Sequence, residues 1–151
     1  MTSITLVHQA ALGDSVLLIP LFRSLRQRFP GCAITLVTRP NLGQMMTMLG
    51  FVEAYASAED RAHAAWFAAP EGANRPNSFP EWAHADYLIS AVASKGDAWC
   101  ANALWARADK PLDSLLFFNP RPPADYPRHV TAWHREQLPG LELIEVKPRF
   151  R

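Results

Sequence analysis

Two cysteines, Cys32 and Cys100, are too few for a disulfide framework or a four-cysteine zinc site, and they suit a reduced, cytosolic chain. Charge of one sign is also scarce. Fifteen basic against 14 acidic side chains leave a formal charge of +1, which argues against a nucleic-acid module relying on counterion release. Long hydrophobic runs are absent. The longest near the start, Val16 to Phe22, contains Pro20 and falls far short of the ~20 residues a spanning helix needs. No Lys or Arg precedes Asp14, so the start does not read as a signal peptide. What is present is a 49% hydrophobic chain of 151 residues, the length of one domain with a proper core and too apolar for a disordered segment. Proline is the unusual count: 13 in all, ten of them after residue 66, which makes the second half rich in loops.

The tetrapeptide Ile-Thr-Leu-Val occurs at Ile4–Val7 and again at Ile34–Val37. Both copies read as buried parallel strands. Between them Leu17, Leu18, Leu21, Phe22, Leu25 and Phe29 recur at helical spacing, and Pro30-Gly31 stops the helix. Strand, helix and strand make a βαβ unit. The pattern continues as a helix over Asn41–Leu49, a strand over Phe51–Ala56, a helix over Glu59–Ala69 and a loop over Pro70–Pro80. Then come a strand at Tyr87–Val92, a helix at Ala98–Arg107, a strand at Leu115–Phe118, a helix at Val130–Leu138 and a last strand at Leu141–Val146. Such alternation predicts an α/β fold: a Rossmann-like open parallel sheet with helices on both faces.

In that fold ligands bind beyond the carboxyl ends of the strands, near helix N-termini. The first such turn reads His8-Gln9-Ala10-Ala11-Leu12-Gly13-Asp14-Ser15. It has neither the three glycines of a dinucleotide fingerprint nor the Lys-Ser/Thr pair of a phosphate loop. It offers an acidic residue at a helix start, where Asp14 or Ser15 would cap the helix. Arg39, Lys95 and Arg121 each follow a predicted strand and should project to the same edge. They are candidates for holding anions, or else solvated loop charges. His129 and His134 stand five apart, about 140° around a helix, so no shared metal is expected. The tryptophans read as core packing, with Trp82 the one to watch as an exposed platform. Met45, Met46 and Met48 read as packing of one short helix on the sheet.

Ala11-Leu12-Gly13-Asp14, followed by Pro20, Leu21, Leu25, Arg26, Arg28, Phe29 and Pro30, resembles the opening of glycosyltransferase family 9, the ADP-heptose:lipopolysaccharide heptosyltransferases. That family opens with a strand, a turn reading Arg-x-Gly-Ala-Leu-Gly-Asp and a proline-bearing amphipathic helix. Ala33–Thr38 and Gly50–Tyr55 continue the likeness, which beyond residue 60 thins to Asp86–Ile89. The resemblance implies the N-terminal half of a GT-B fold, with residues 1–147 as a Rossmann-like acceptor-binding domain and 148–151 as the start of the interdomain linker. On that likeness the C-terminal nucleotide-sugar domain, which would bind ADP-heptose, is expected to lie outside these 151 residues, and no other cofactor is implied.

It further implies that Asp14 is the general base; Gly13, Ser15 and His8 of the same turn, and Arg39, Lys95 and Arg121 by their places after strands, are the candidates for holding the acceptor. The partner would be a lipopolysaccharide inner-core or related glycolipid, and nucleic acid is not expected. The location would be cytoplasmic, with room for peripheral contact at the inner membrane; the basic ending Lys147–Arg151 reads as a linker stub in preference to a membrane-surface tag. His8 and Ala10 replace the family's basic residue and first glycine, so a non-catalytic binding module of the same descent is the alternative reading.

Overall fold

The computed structural model describes residues 1–9, 11–70 and 78–146. Ala10, most of the expected loop at 70–80, and the basic ending with the expected linker start lie outside the described residues. Five strands form one parallel sheet: β1 (Ser3–Val7), β2 (Ala33–Thr38), β3 (Ala54–Ser57), β4 (Tyr87–Ser90) and β5 (Leu115–Phe117). Their order is β3-β2-β1-β4-β5. The two Ile-Thr-Leu-Val copies lie side by side in register, Ile4 opposite Ile34 and Val7 opposite Val37. A sheet covered on both faces needs apolar side chains on both sides of its central strands, and Leu6 and Val7 are both fully buried. The Rossmann-like α/β expectation therefore holds.

One face packs under α2 (Ile19–Arg28), α3 (Pro40–Met48) and α6 (Val130–Glu136), through Leu21, Phe22, Leu25, Met46 and Leu138. The other packs under α5 (Ala98–Ala106) and a 3-10 turn at Ala65–Phe67, around Trp66 and Trp99. The short α4 (Arg61–Ala64) precedes that turn, so the expected helix over 59–69 is α4 plus a 3-10 turn. The first helix also divides. A five-residue α1 (Leu12–Val16) precedes α2, and Pro20 at the start of α2 explains the break, because its missing N–H cannot continue the ladder from Val16.

Three expectations fail. Residues 141–146 form no strand. Pro139–Leu141 is a 3-10 turn and Glu142 takes a left-handed φ of 54°. The segment is instead bonded to the helix layer: Arg28 Nε donates to the Leu141 carbonyl at 3.1 Å and Ser24 Oγ to the Ile144 carbonyl at 2.7 Å. Met48 is exposed rather than packed, while Met46 carries the helix-to-sheet contact. Trp82 is half-buried against Trp66 and His63, which removes it as an open platform.

Buried polar groups are held by specific bonds. The Arg107 guanidinium donates to the carbonyls of Ala83, Ala85 and Asp86 and to Ser114 Oγ, tying α5 to the start of β4. Arg26 grips Glu53 with two hydrogen bonds, and Glu53 also accepts the Ile34 amide at 2.7 Å. Desolvation alone would raise the Glu53 pKa, but the Arg26 and Ile34 bonds bring it below its ordinary value. His63 lies among Trp66, Phe67, Trp82 and Trp99. Its Nδ1 is 2.7 Å from the Ala58 carbonyl and its Nε2 accepts the Trp99 indole N–H at 2.8 Å.

Gly43 lets α3 approach β3 closely, since a Cβ there would stand 2.7 Å from Tyr55 Cβ. Gly43→Ala should gain about 1 kcal/mol of helix propensity yet lose about 1–3 kcal/mol to overpacking. We predict net destabilisation in urea unfolding. A rise in stability would show that β3 yields without cost.

Candidate functional site

The chain leaves β1 toward β2 and β3 on one side, then returns to place β4 on the other side of β1. The crossovers after β1 and β4 therefore diverge, and a crevice opens where the order reverses. Ladder bonds one residue past each strand align its rim: His8 N–H to the Val37 carbonyl, Ala91 N–H to Val7, and Phe118 N–H to Ser90. The resulting open cleft holds about 440 Å³ and is walled by His8, Gln9, Asp14, Arg39, Ala91 and Arg121, among others. A second cleft of about 460 Å³, lined by Ser94, Lys95 and Asn119, adjoins it and shares Ala91, Val92 and Pro120. Both lie in the size range of small-molecule sites.

The expected residues separate here. Asp14 stands in the first turn of α1, where the helix dipole favours a carboxylate. It does not cap the helix, for the N-cap is Ala11. Its side chain is 35% exposed, and Oδ2 lies 3.7 Å from an Arg121 nitrogen. Arg121 is 82% exposed, so this ion pair contributes about 0–1 kcal/mol and an incoming anion can displace it. Arg39, exposed at the N-cap of α3, completes the charged rim. Lys95 belongs to the adjoining cleft. Thus the strand-end cations reach one edge, as their sequence positions require.

Three other expected residues differ. Ser15 is buried and turns its hydroxyl back onto the Ala11 carbonyl at 3.1 Å, as a helix-interior serine does, so it faces no ligand. Gly13 is exposed on α1 but is not part of the cleft wall. A Cβ there would meet nothing within 4 Å, so packing does not require glycine at this position. His8 lines the cleft but is only 1% exposed. Burial pushes its pKa down to about 4, with Asp14 partly opposing and His134 adding to the shift. It is a neutral imidazole at pH 7.

Residues on α6 hold the site in ways the sequence did not signal. His129 caps α6 through its ring nitrogen, whereas His134 is buried beneath the cleft. The two face apart. Trp133 and Gln137 both donate to the Asn119 carbonyl, and Gln137 accepts the Asn119 amide. These contacts join positions 14 and 18 residues apart across a proline-rich run, beyond the reach of any local pattern. Among the described residues no cluster of His, Cys, Asp or Glu could hold a metal ion.

No family model and no curated protein matches the chain. A solved structure does: a glycosyl transferase family 9 protein from Veillonella parvula, with a TM-score of 0.55 at 16% identity. This chain shares its fold. The match covers 95% of this chain and 42% of that one, so the chain spans less than half the length of its family 9 neighbour. At that identity the likeness is one of fold alone, carried by the five-stranded parallel sheet and its helices. No helix among the described residues is long and apolar enough to cross a membrane.

His8, His63 and His134 are all buried with lowered pKa values, chiefly through desolvation. Burial disfavours the charged ring of each in the folded chain, while the unfolded chain takes up protons below 6.5. Their stabilisation is complete above that pH and is lost as pH falls. For His8 the loss runs from 6.5 down to about 4 and amounts to about 3 kcal/mol. Urea midpoints should therefore fall steadily over that window, and His8→Gln should flatten the decline. A midpoint independent of pH would contradict the burial of these rings.

Proposed function

We propose that the chain is the acceptor-binding half of a glycosyltransferase of the heptosyltransferase type. It would present a lipopolysaccharide-core sugar to a donor such as ADP-heptose held on a second domain. The observation that carries this reading is the Asp14 carboxylate on the wall of the switch-point cleft, flanked by Arg39 and Arg121, in a fold shared with a family 9 structure. The chemistry is consistent. Asp14 accepts the proton of the acceptor hydroxyl as that oxygen bonds to the anomeric carbon. The carbon–oxygen bond to the nucleoside diphosphate breaks, and the diphosphate leaves with the electron pair. Arg39 and Arg121 hold anionic groups of the acceptor, such as phosphate or the carboxylate of the acidic sugar Kdo. Lys95 serves an acceptor long enough to enter the adjoining cleft.

A second reading is a binding module without chemistry, and His8 favours it. A buried, neutral imidazole replaces the basic residue of the family's turn, which weakens the anion-holding side of the site. Transfer distinguishes the two readings.

Calorimetry with inner-core lipopolysaccharide fragments tests the proposal. Arg39→Glu and Arg121→Glu should weaken binding about tenfold or more, equivalent to ~1.4 kcal/mol, and the loss should shrink as salt rises. Lys95→Glu should do so for the longer fragments, and unchanged binding would remove it from the site. Asp14→Asn should leave affinity within about threefold yet abolish transfer in any form that carries a donor domain. The 151-residue chain by itself should give no transfer from ADP-heptose; detectable transfer would end the half-enzyme reading.

A further inference from the structure

The outer face of α5 carries no polar side chain. Ala101, Leu104, Trp105 and Ala108 are exposed there at helical spacing, while Trp99, Cys100, Ala103 and Ala106 are buried. A helix that is apolar all round belongs in an interior, yet Leu104 is 40% exposed and Trp105 43%. The neighbouring segment continues this surface. Between Arg61 and Pro70 the only polar side chain is His63, which is buried, and the exposed residues are five alanines and Phe67. Asn102 Nδ2 donates to the Trp66 and Ala68 carbonyls at 2.9 and 3.0 Å, so the two segments lie side by side. Single exposed hydrophobes are ordinary, whereas a continuous apolar surface marks an interaction site.

The order of side chains and the charges at the rim choose the occupant. Along α5 the exposed face runs small, large, large, small, and so reads the same from either end. A twofold axis between Leu104 and Trp105 sets Ala101 against the partner's Ala108 and Leu104 against the partner's Trp105. Lys95 and Asp97 precede α5, and Asp109 and Lys110 follow it, an acid and a base at each end. Antiparallel pairing brings these ends together with opposite charges in reach and with the helix dipoles opposed. A lipid surface fits less well. Glu59, Asp60, Asp97 and Asp109 outnumber Arg61, Lys95 and Lys110 around the patch, where an anionic bilayer calls for an excess of bases. Residues 71–77, Glu-Gly-Ala-Asn-Arg-Pro-Asn, have no large apolar side chain to set against Leu104.

We propose that this face is a homodimer interface, in which α5 packs antiparallel on α5 of a second copy with Phe67 at its flank. Two such patches bury on the order of 1,000 Å² together, the low end for a specific interface, which puts the expected dissociation constant in the micromolar range. A crossover helix runs back from the carboxyl edge of a parallel sheet. The pairing therefore sends the two switch-point clefts to opposite ends of the dimer and leaves both open. It stands apart from the acceptor reading, since no residue of the cleft takes part in the α5 contact.

Sedimentation equilibrium of the 151-residue chain tests the interface. The chain should show a monomer–dimer equilibrium. Leu104→Glu should raise the dissociation constant about tenfold or more, with the unfolding midpoint unchanged because the side chain is exposed. Met48→Glu, at a residue 79% exposed on α3 across the sheet, should leave the equilibrium as it is. Cross-linking reads the register even if Leu104→Glu fails to fold. Ala101→Cys mixed with Ala108→Cys should give a disulfide-linked dimer under mild oxidation that neither variant gives alone, and the buried Cys32 and Cys100 should stay out of it. A chain that is monomeric at every concentration, a dimer untouched by Leu104→Glu, or a mixture that does not cross-link would each overturn the proposal. So would binding to phosphatidylglycerol vesicles that Leu104→Glu abolishes in a chain that forms no dimer, since the face would then belong to lipid.

Discussion

The central position of β1 constrains everything else. A parallel strand with neighbours on both sides must send its crossover one way while the β4 crossover goes the other, and no local packing can close the gap between them. The ladder bonds at His8, Ala91 and Phe118 align three strand ends along that gap. The cleft is therefore a consequence of strand order, and the residues that follow the strands, Asp14, Arg39 and Arg121, inherit its rim. The five-residue α1 exists because Pro20 breaks the helix early, which leaves the Asp14 turn as a separate short element on the cleft wall.

Burial divides the polar residues into two groups with different work. Arg107, His63 and His134 are buried and spend their hydrogen bonds on backbone carbonyls, a hydroxyl and an indole N–H. Losing such a partner costs about 1–3 kcal/mol, enough to keep these groups in one geometry. Asp14, Arg39, Lys95 and Arg121 keep access to water, and the Asp14–Arg121 pair is worth little by itself. That weakness suits a ligand site, since an anion can take Arg121 without a large penalty. Arg26 and Glu53, which the family-like stretch also carries, belong to the structural group: they tie α2 to β2 and β3.

Much of the fold was legible because its signals are local. The repeated Ile-Thr-Leu-Val, the helical spacing from Leu17 to Phe29 and the glycine and proline stops each reflect the geometry of one element. The stretch from 141 to 146 looked equally strand-like, yet Arg28 and Ser24 take two of its carbonyls, so it lies on α2 instead. Met48 and Met46 were indistinguishable by residue type, and only the direction of α3 over the sheet separates them. At the site, Asp14 was identified by its turn and the cations by their places after strands. The inward rotation of Ser15 and the burial of His8 were not readable, because both depend on which side of a short helix or strand end meets the core.

By itself the amino-acid sequence determined the parallel α/β architecture, the Gly13-Asp14 turn after the first strand and the absence of a dinucleotide or phosphate-loop signature. These follow from periodicity and turn chemistry, which act over a few residues. Tertiary structure alone decided that His8 is neutral, that Ser15 is structural, that Arg121 pairs with Asp14, and that α6 holds the wall on which Arg121 stands. Charge state depends on desolvation, and placement depends on contacts between residues remote in the chain. Both exist only once the helices have closed over the sheet.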